Sequence, residues 1–552
     1  MIELRFLFNS SSGVYVSKVI QSHWWSTLFV LFFPLLVMYG YSDFIRSSEL
    51  NARLGWLFLI GGLAYLFRHT ILQKLLLGVL SLFVLSGSLD ILYAVTFGGV
   101  FTSASFEAMV LTDANESFEF LFAYASLENV LLLSFYLLVA YFSLKRVLFK
   151  APKRTREKVL VGFGVLMLVV AIQQINQRNR TFDTIPGFSG VAIDFSSAHE
   201  SIDADILNRQ TLFNSTQFSA QMQSSEPQTY VIVMGESMNR NHLQLYGYSR
   251  DTSPELTKLK DELIVFDNVV SNYAQTRPSL NVALTEADAV NRQNVNQSIS
   301  LLGALKKAGF KTWWISNQQP LRRPTSAMAS LADVEHFISN DFHGVEVNRF
   351  DGFLLPSIQK AIVDDAPHKV IFVHLMGSHL QYRNRYPEGE RVYSGAEGTQ
   401  AFTNNSSDTQ LDYINAYDDS VRYTDSIVGE IISSLQQSKS ISALSFFADH
   451  GEEVFDSKDF KGHGPDGVTR HMLEVPFIFW RNSNYQQAFP VVEQQLQQQK
   501  SASMMLDDYF HFGLCMTQVE SSLAKETRAL CSSRYEPKQR LVYGKDYDKE
   551  LR

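Results

Sequence analysis

The chain has 552 residues, with 48 Lys and Arg against 56 Asp and Glu, a net charge of -8 and two cysteines. That length exceeds one ordinary domain, the acidic balance argues against a nucleic-acid partner, and no Gly-rich nucleotide loop follows a strand. The composition averages two unlike parts: long apolar runs up to about residue 172, then the alternation of a soluble protein.

In chain order, the runs 24–41, 54–67, 75–97, 129–144 and 159–172 are candidate membrane spans. The second, fourth and fifth fall short of the roughly 17 residues that set the lower limit for crossing a bilayer, so a count of five needs their ends to reach into polar flanks. The loop 145–158 carries seven Lys or Arg, whereas 98–128 carries none and has five acids. The positive-inside rule puts the first loop in the cytoplasm and the second outside. The N-terminus is then cytoplasmic and everything after 172 is exported. Trp24 and Trp25 sit where interfacial anchors would, and no small-residue cleavage site follows, so the first span is read as uncleaved. Asp90 lies in the third span. An intramembrane acid suggests a role, but the reading favoured here is a carboxylate near the outer interface, in water. In the outer loop Thr112 and Glu116 are four apart and share a face if that loop is helical; a solvated acidic loop is the plainer reading.

Residues 173–228, rich in Gln, Asn and Ser, read as a connector along the membrane surface, with a globular domain over 229–552. Strand-like runs at 229–234, 263–266, 312–315, 370–375, 444–447 and 476–480 are separated by stretches long enough for helices. This pattern predicts an α/β/α sandwich around a mostly parallel sheet. Ligands of such sheets lie outside the C-terminal ends of the strands. Glu236 follows the first run, Thr276 sits in the loop 271–280, and His379 follows the fourth. The buried-type run 444–448 breaks off into Asp449 and His450, and His463 stands in Lys-Gly-His-Gly-Pro. Asp449 and His450 offer a hard oxygen and a borderline nitrogen, a pairing suited to zinc, and Gly451 is expected to let the backbone turn tightly behind them. Each residue also has an ordinary reading. Glu236 would be an acid at a helix N-terminus, His379 a structural strand-end histidine, His463 a surface histidine and Glu452 an exposed acid. Ser237 or Ser279 would replace Thr276 as nucleophile. Arg240, His242 and His471 read as structural.

Ordered motifs carry a resemblance over nearly the whole chain. They are Gly235-Glu236-Ser237 with Arg240, Leu245-Tyr-Gly-Tyr248-Ser-Arg250-Asp-Thr-Ser-Pro254, Thr276-Arg-Pro-Ser279, His374-Leu-Met-Gly-Ser-His379 with Arg385-Tyr-Pro387, and Asp449-His450-Gly451-Glu452. The chain resembles the membrane phosphoethanolamine transferases of Gram-negative bacteria, within the alkaline phosphatase and sulfatase superfamily. The resemblance implies a multi-pass, monomeric inner-membrane enzyme with a periplasmic catalytic domain. Its donor would be phosphatidylethanolamine and its acceptor a lipopolysaccharide, at core or lipid A, or a periplasmic glucan. It further implies that Glu236, Thr276, Asp449 and His450 bind zinc, with a second metal left open. Thr276 would be the nucleophile, His379 and His463 would meet the phosphoryl group or that second metal, and Thr112 and Glu116 would contact the donor. The family's usual Asn falls at Ala108 here. The lipid A branch carries several disulfides, whereas this chain has only Cys515 and Cys531, expected to pair in an oxidising compartment; it looks nearer the branch that decorates lipopolysaccharide core or glucans. The rival readings are a phosphoglycerol transferase or hydrolase of the same superfamily, and a non-catalytic lipopolysaccharide-sensing membrane protein, which should have lost metal ligands.

Overall fold

The computed structural model describes residues 11–41, 47–66, 70–101, 105–106, 109, 124–147, 185–198, 202–289, 292–318, 324–338, 350–399 and 407–551. The chain divides into two compact units, Met1–His199 and Glu200–Arg552.

In the first unit, helices α1 (Ser11–Tyr41), α2 (Ser47–Leu66), α3 (Thr70–Phe97) and α4 (Leu127–Val147) bury Val30, Leu57, Leu80 and Tyr136 among themselves. Among the described residues, Lys74–Phe97 and Leu127–Lys145 are long and apolar enough to cross a bilayer, and Trp25–Tyr41 is a shorter apolar stretch. The 54–67 run falls largely on α2; the 159–172 run, Thr112 and Glu116 lie outside the described residues.

Asp90 corrects one expectation. It is 2% exposed, so it is not in water. An Arg53 guanidinium nitrogen lies 3.1 Å from Asp90 Oδ2 and 2.7 Å from Glu49 Oε1. The Phe188 N–H, at the start of α5 (Gly187–Ala198), donates to Asp90 Oδ1 at 2.8 Å. A buried carboxylate persists when it is paired and hydrogen-bonded in this way.

The second unit is built on a seven-stranded sheet. Its strands are β1 (Gln228–Gly235), β2 (Leu263–Phe266), β3 (Lys311–Ser316), β4 (Val334–Phe337), β5 (His368–His374), β6 (Ile441–Ala448) and β7 (Phe477–Arg481), in the order β2-β7-β6-β1-β5-β3-β4. All neighbours run parallel except β7, which is antiparallel to both β2 and β6. Every residue of β1 and β6 is buried, so the centre of the sheet is covered on both faces, as β-branched and aromatic runs without alternation require. The long helix α7 (Asp408–Gln436), begun by a Ser407/Gln410 capping box, adds Tyr417, Val421, Val428 and Ile432 to that core. Cys515 and Cys531 form a disulfide, as expected.

The register of the central strands decides where their ends lie. Gly235 pairs with Ala448, and Met234 with both Phe447 and His374. The three strands therefore end level, and the residues just past them emerge side by side.

Candidate active site

Four of the predicted residues meet at that level end. Thr276 is the first residue of α6 (Thr276–Ala283). Its hydroxyl donates to Glu236 Oε1 at 3.1 Å and Oε2 at 3.2 Å, and lies 3.4 Å from His450 Nε2. His450 Nε2 is in turn 3.3 Å from Glu236 Oε1 and 3.4 Å from Asp449 Oδ2. Asp449 Oδ1 accepts the N–H groups of Ser237 and His450 at 3.1 and 2.8 Å. Among the described residues Asp449 Oδ2 is buried without a hydrogen-bond partner, an expensive condition for a carboxylate oxygen unless a cation completes it.

The electrostatics of this group point the same way. Burial opposes ionisation of Glu236, but the hydrogen bond and charge of His450, helped by His379 and His374, hold it well below the usual carboxylate range. Burial and the adjacent Glu236 charge push Asp449 up to about 8. Burial disfavours charge on His450 too, yet Asp449 and Glu236 outweigh it and raise the imidazole to about 10. The charge of two buried carboxylates is thus balanced by a proton drawn toward Asp449 and another held on His450 beside Glu236. A divalent cation does this better and binds with the ligands deprotonated. Glu236, Asp449 and His450 bring their donor atoms within 4.8 Å of one another, and the Thr276 oxygen adds a fourth; the set fits such an ion.

A second cluster adjoins the first. His450, Glu452 and His463 also bring donor atoms within 4.8 Å of one another. Glu452 is buried, receives the Tyr382 hydroxyl at 2.7 Å, and lies 2.6 Å from His463 Nδ1. The His463 ring sits 4.1 Å from that of His450. His379 is carried to the same end by the loop after β5. Gly377 in that loop has φ +50, and a Cβ there would lie 2.8 Å from both backbone N and O of Glu236. The loop can therefore press against Glu236 only with glycine.

Supporting contacts hold this group, and of the residues that make them Ser271, Asp418 and Asp456 escaped the sequence reading. The Ser271 and Ser279 hydroxyls reach the Asp449 carbonyl oxygen at 2.6 and 2.5 Å, tying the Thr276 loop to the end of β6. Ser279 is thereby a brace with its oxygen turned to backbone, and Ser237 Oγ is spent on Glu236 at 3.0 Å. His242 lies between Asp418 at 2.6 Å and Asp456 at 2.9 Å, clamping the hairpin of Glu453–Val454 and Lys461–Gly462 to α7. The reason for Gly451 also differs from expectation. Its backbone is not left-handed; instead a Cβ would lie 2.1 Å from the His471 carbonyl oxygen, so the need is for space rather than for a turn.

Comparison with known proteins fits this geometry. A sulfatase family model matches residues 228–515, and with the fold it defines a sulfatase-family α/β domain. Phosphoethanolamine transferase EptC of Escherichia coli K12 is 30% identical over 496 residues, 84% of each chain. CptA of Salmonella typhimurium, also a phosphoethanolamine transferase, is 30% identical over 495 residues, again 84% of each. The chain belongs to the phosphoethanolamine transferase family. The crystal structure of the C-terminal periplasmic domain of E. coli EptC in complex with zinc superposes with a TM-score of 0.55 at 30% identity, over 60% of this chain and 94% of that one. The integral membrane lipooligosaccharide phosphoethanolamine transferase A of Neisseria meningitidis shares the fold, with a TM-score of 0.62 at 18% identity over 93% of this chain and 98% of its own.

Proposed function

We propose that this chain moves phosphoethanolamine from phosphatidylethanolamine to a lipopolysaccharide, at core or lipid A, or to a periplasmic glucan, through a covalent phospho-Thr276 intermediate. The observation that carries the reading is the placement of the Thr276 hydroxyl 3.1 Å from Glu236 and 3.4 Å from His450 in a buried cluster. Glu236, Thr276, Asp449 and His450 would hold one zinc ion, a choice supported by the zinc complex of the E. coli relative. Bound there, zinc supplies positive charge that makes the threonine hydroxyl more acidic and offsets charge on the phosphoryl oxygens.

The chain's own groups do the rest. Thr276 Oγ1 forms a bond to phosphorus as the bond to the diacylglycerol oxygen breaks. An acceptor hydroxyl or phosphate oxygen then attacks phospho-Thr276 and releases the threonine. His379 and His463 steady equatorial oxygens or hand a proton to the leaving alcohol, with Glu452 fixing the tilt of His463 through its 2.6 Å contact. Phosphoryl transfer asks mainly for positioning and charge neutralisation, which the buried Glu236, Asp449 and His450 supply behind the half-buried Thr276. The membrane part, 1–172 with five spans, anchors the enzyme in the inner membrane. A connector, 173–228, leads to the periplasmic catalytic domain, 229–552, and Thr112 and Glu116 meet the donor lipid. The enzyme acts as a monomer.

The test is transfer from fluorescent phosphatidylethanolamine by the detergent-solubilised chain, before and after chelation. Activity lost to the chelator, restored by zinc and absent from Thr276→Ala is the expected outcome. Transfer that survives in Thr276→Ala would refute the assignment.

A further inference from the structure

The proposed nucleophile does little to hold itself in place. Gln275, which caps α6, makes no side-chain capping bond, so the segment before Thr276 depends on contacts from elsewhere. On its inner side the loop is tied to β6 by Ser271 and Ser279. On its outer side it meets a hairpin from the far end of the sequence, formed by Leu541–Val542 and Lys545–Asp546.

Tyr543 stands at the tip of that hairpin. Its hydroxyl accepts the Ala274 N–H at 3.1 Å and lies 3.5 Å from Gln275 Oε1, while its ring meets the Tyr273 ring edge-on at 5.8 Å. Ala274 is fully buried, so its N–H needs a partner and Tyr543 supplies one. The base of the hairpin is fixed: Val542 packs with Ala274, Val270 and Tyr547 in one apolar cluster, and Arg540 pairs with Asp548.

The tip carries a further clue. Val542 and Lys545 are paired, leaving Tyr543 and Gly544 as a two-residue turn with φ of +50 and +81. Turns with both central residues left-handed strongly favour Asn-Gly or Gly-Gly. A tyrosine is strained there, and strain of this kind gathers at functional sites. What the tyrosine contributes in return is the contact with Ala274, two residues before Thr276.

We propose that Tyr543 is a positioning residue for phosphoryl transfer: its hydroxyl fixes the backbone of Ala274 and so aims the Thr276 oxygen at the Glu236 and His450 side of the cluster. This rests on the role proposed for Thr276. Tyr543→Phe keeps the ring and removes only the hydroxyl, whereas Tyr543→Asn removes the ring but suits the left-handed turn, so it guards against a variant that simply fails to fold.

The experiment follows the rate at which Thr276 in the full chain acquires phosphoethanolamine from phosphatidylethanolamine in detergent micelles. It is accompanied by KM for the donor, bound zinc and Tm. A misplacement of the attacking oxygen by a fraction of an ångström should slow adduct formation about 10- to 100-fold at saturating donor. KM should stay within about twofold, since the contact is not to substrate. Zinc content should hold, and Tm should fall by at most the few degrees that an unpaired Ala274 N–H costs, with Tyr543→Asn at least as stable as Tyr543→Phe. Wild-type adduct rates in both variants would overturn the inference, and so would a rate loss that merely tracks lost zinc or lowered Tm. Absence of any adduct in the wild type would instead overturn the parent reading of Thr276.

Discussion

Replacing Gly451 by alanine moves the site without removing a candidate ligand. An ideal Cβ would lie 2.1 Å from the His471 carbonyl oxygen and 3.2 Å from that of Glu474. Ordinary contact begins at 3.4 Å, so the first approach is short by about 1.3 Å. Both obstacles are backbone atoms, and neither can rotate away. The two segments are also laced together, because the Gly451 N–H donates to the Met472 carbonyl at 3.0 Å. Separation by an ångström breaks that bond and drags His450, whose Nδ1 lies 2.8 Å from the Gly451 oxygen. Overpacking of this kind costs about 1–3 kcal/mol, and a shift of ~1 Å at a reacting group lowers rates by on the order of 100-fold. Tm, bound zinc per chain by elemental mass spectrometry and transfer rate should all fall in Gly451→Ala. A variant with full metal content and wild-type transfer would show that this backbone yields freely, and the close-approach argument would be wrong.

Three other contacts, each in its own part of the chain, make predictions of their own. Burial opposes charge on His242, but Asp456 and Asp418 raise its pKa to about 10 from 6.5. A folded pKa above the unfolded one stabilises fully below pH 6.5 and is lost as pH rises to about 10. Urea midpoints of the wild type should fall across that window, and those of His242→Gln should fall less; equal slopes would contradict the clamp. Arg53→Ala leaves Asp90 buried and unpaired, which should lower stability in detergent by about 3–5 kcal/mol, read as a drop in Tm; a neutral result would return Asp90 to water. Reduction of the Cys515–Cys531 bond, which closes a loop across a sequence separation of 16, should destabilise the unit Glu200–Arg552 by about 3 kcal/mol. A denaturation midpoint indifferent to reductant would count against that.

What the sequence could disclose was local. The run 444–448 ending in Asp449-His450, and Glu236 placed straight after β1, are adjacent in sequence to the strands that carry them. Strand length and parallel register then bring them together without further information. Thr276 needed the resemblance, because the loop 271–280 has no pattern of its own to separate it from Ser279 or Ser237. The braces were beyond reach for a different reason. Ser271 finds Asp449 across 178 residues, Asn239 finds the Tyr417 hydroxyl across 178, and Ala274 finds Tyr543 across 269. Asp90 was misread because hydropathy counts a charge without seeing the Arg53 that meets it. The reversed direction of β7 was equally hidden, since an apolar strand carries no mark of which way it runs in the sheet. Gly451 shows the limit most simply: the residue was singled out, but its reason is the His471 carbonyl, twenty positions on.

The central claim is that Thr276 carries the phosphoethanolamine group between donor and acceptor. Intact-mass analysis and peptide mapping of the full chain, incubated with phosphatidylethanolamine and zinc but no acceptor, address it directly. A single phosphoethanolamine adduct on Thr276, absent from Thr276→Ala, is the predicted result. An adduct on another residue, or donor turnover with Thr276 never modified, would contradict it.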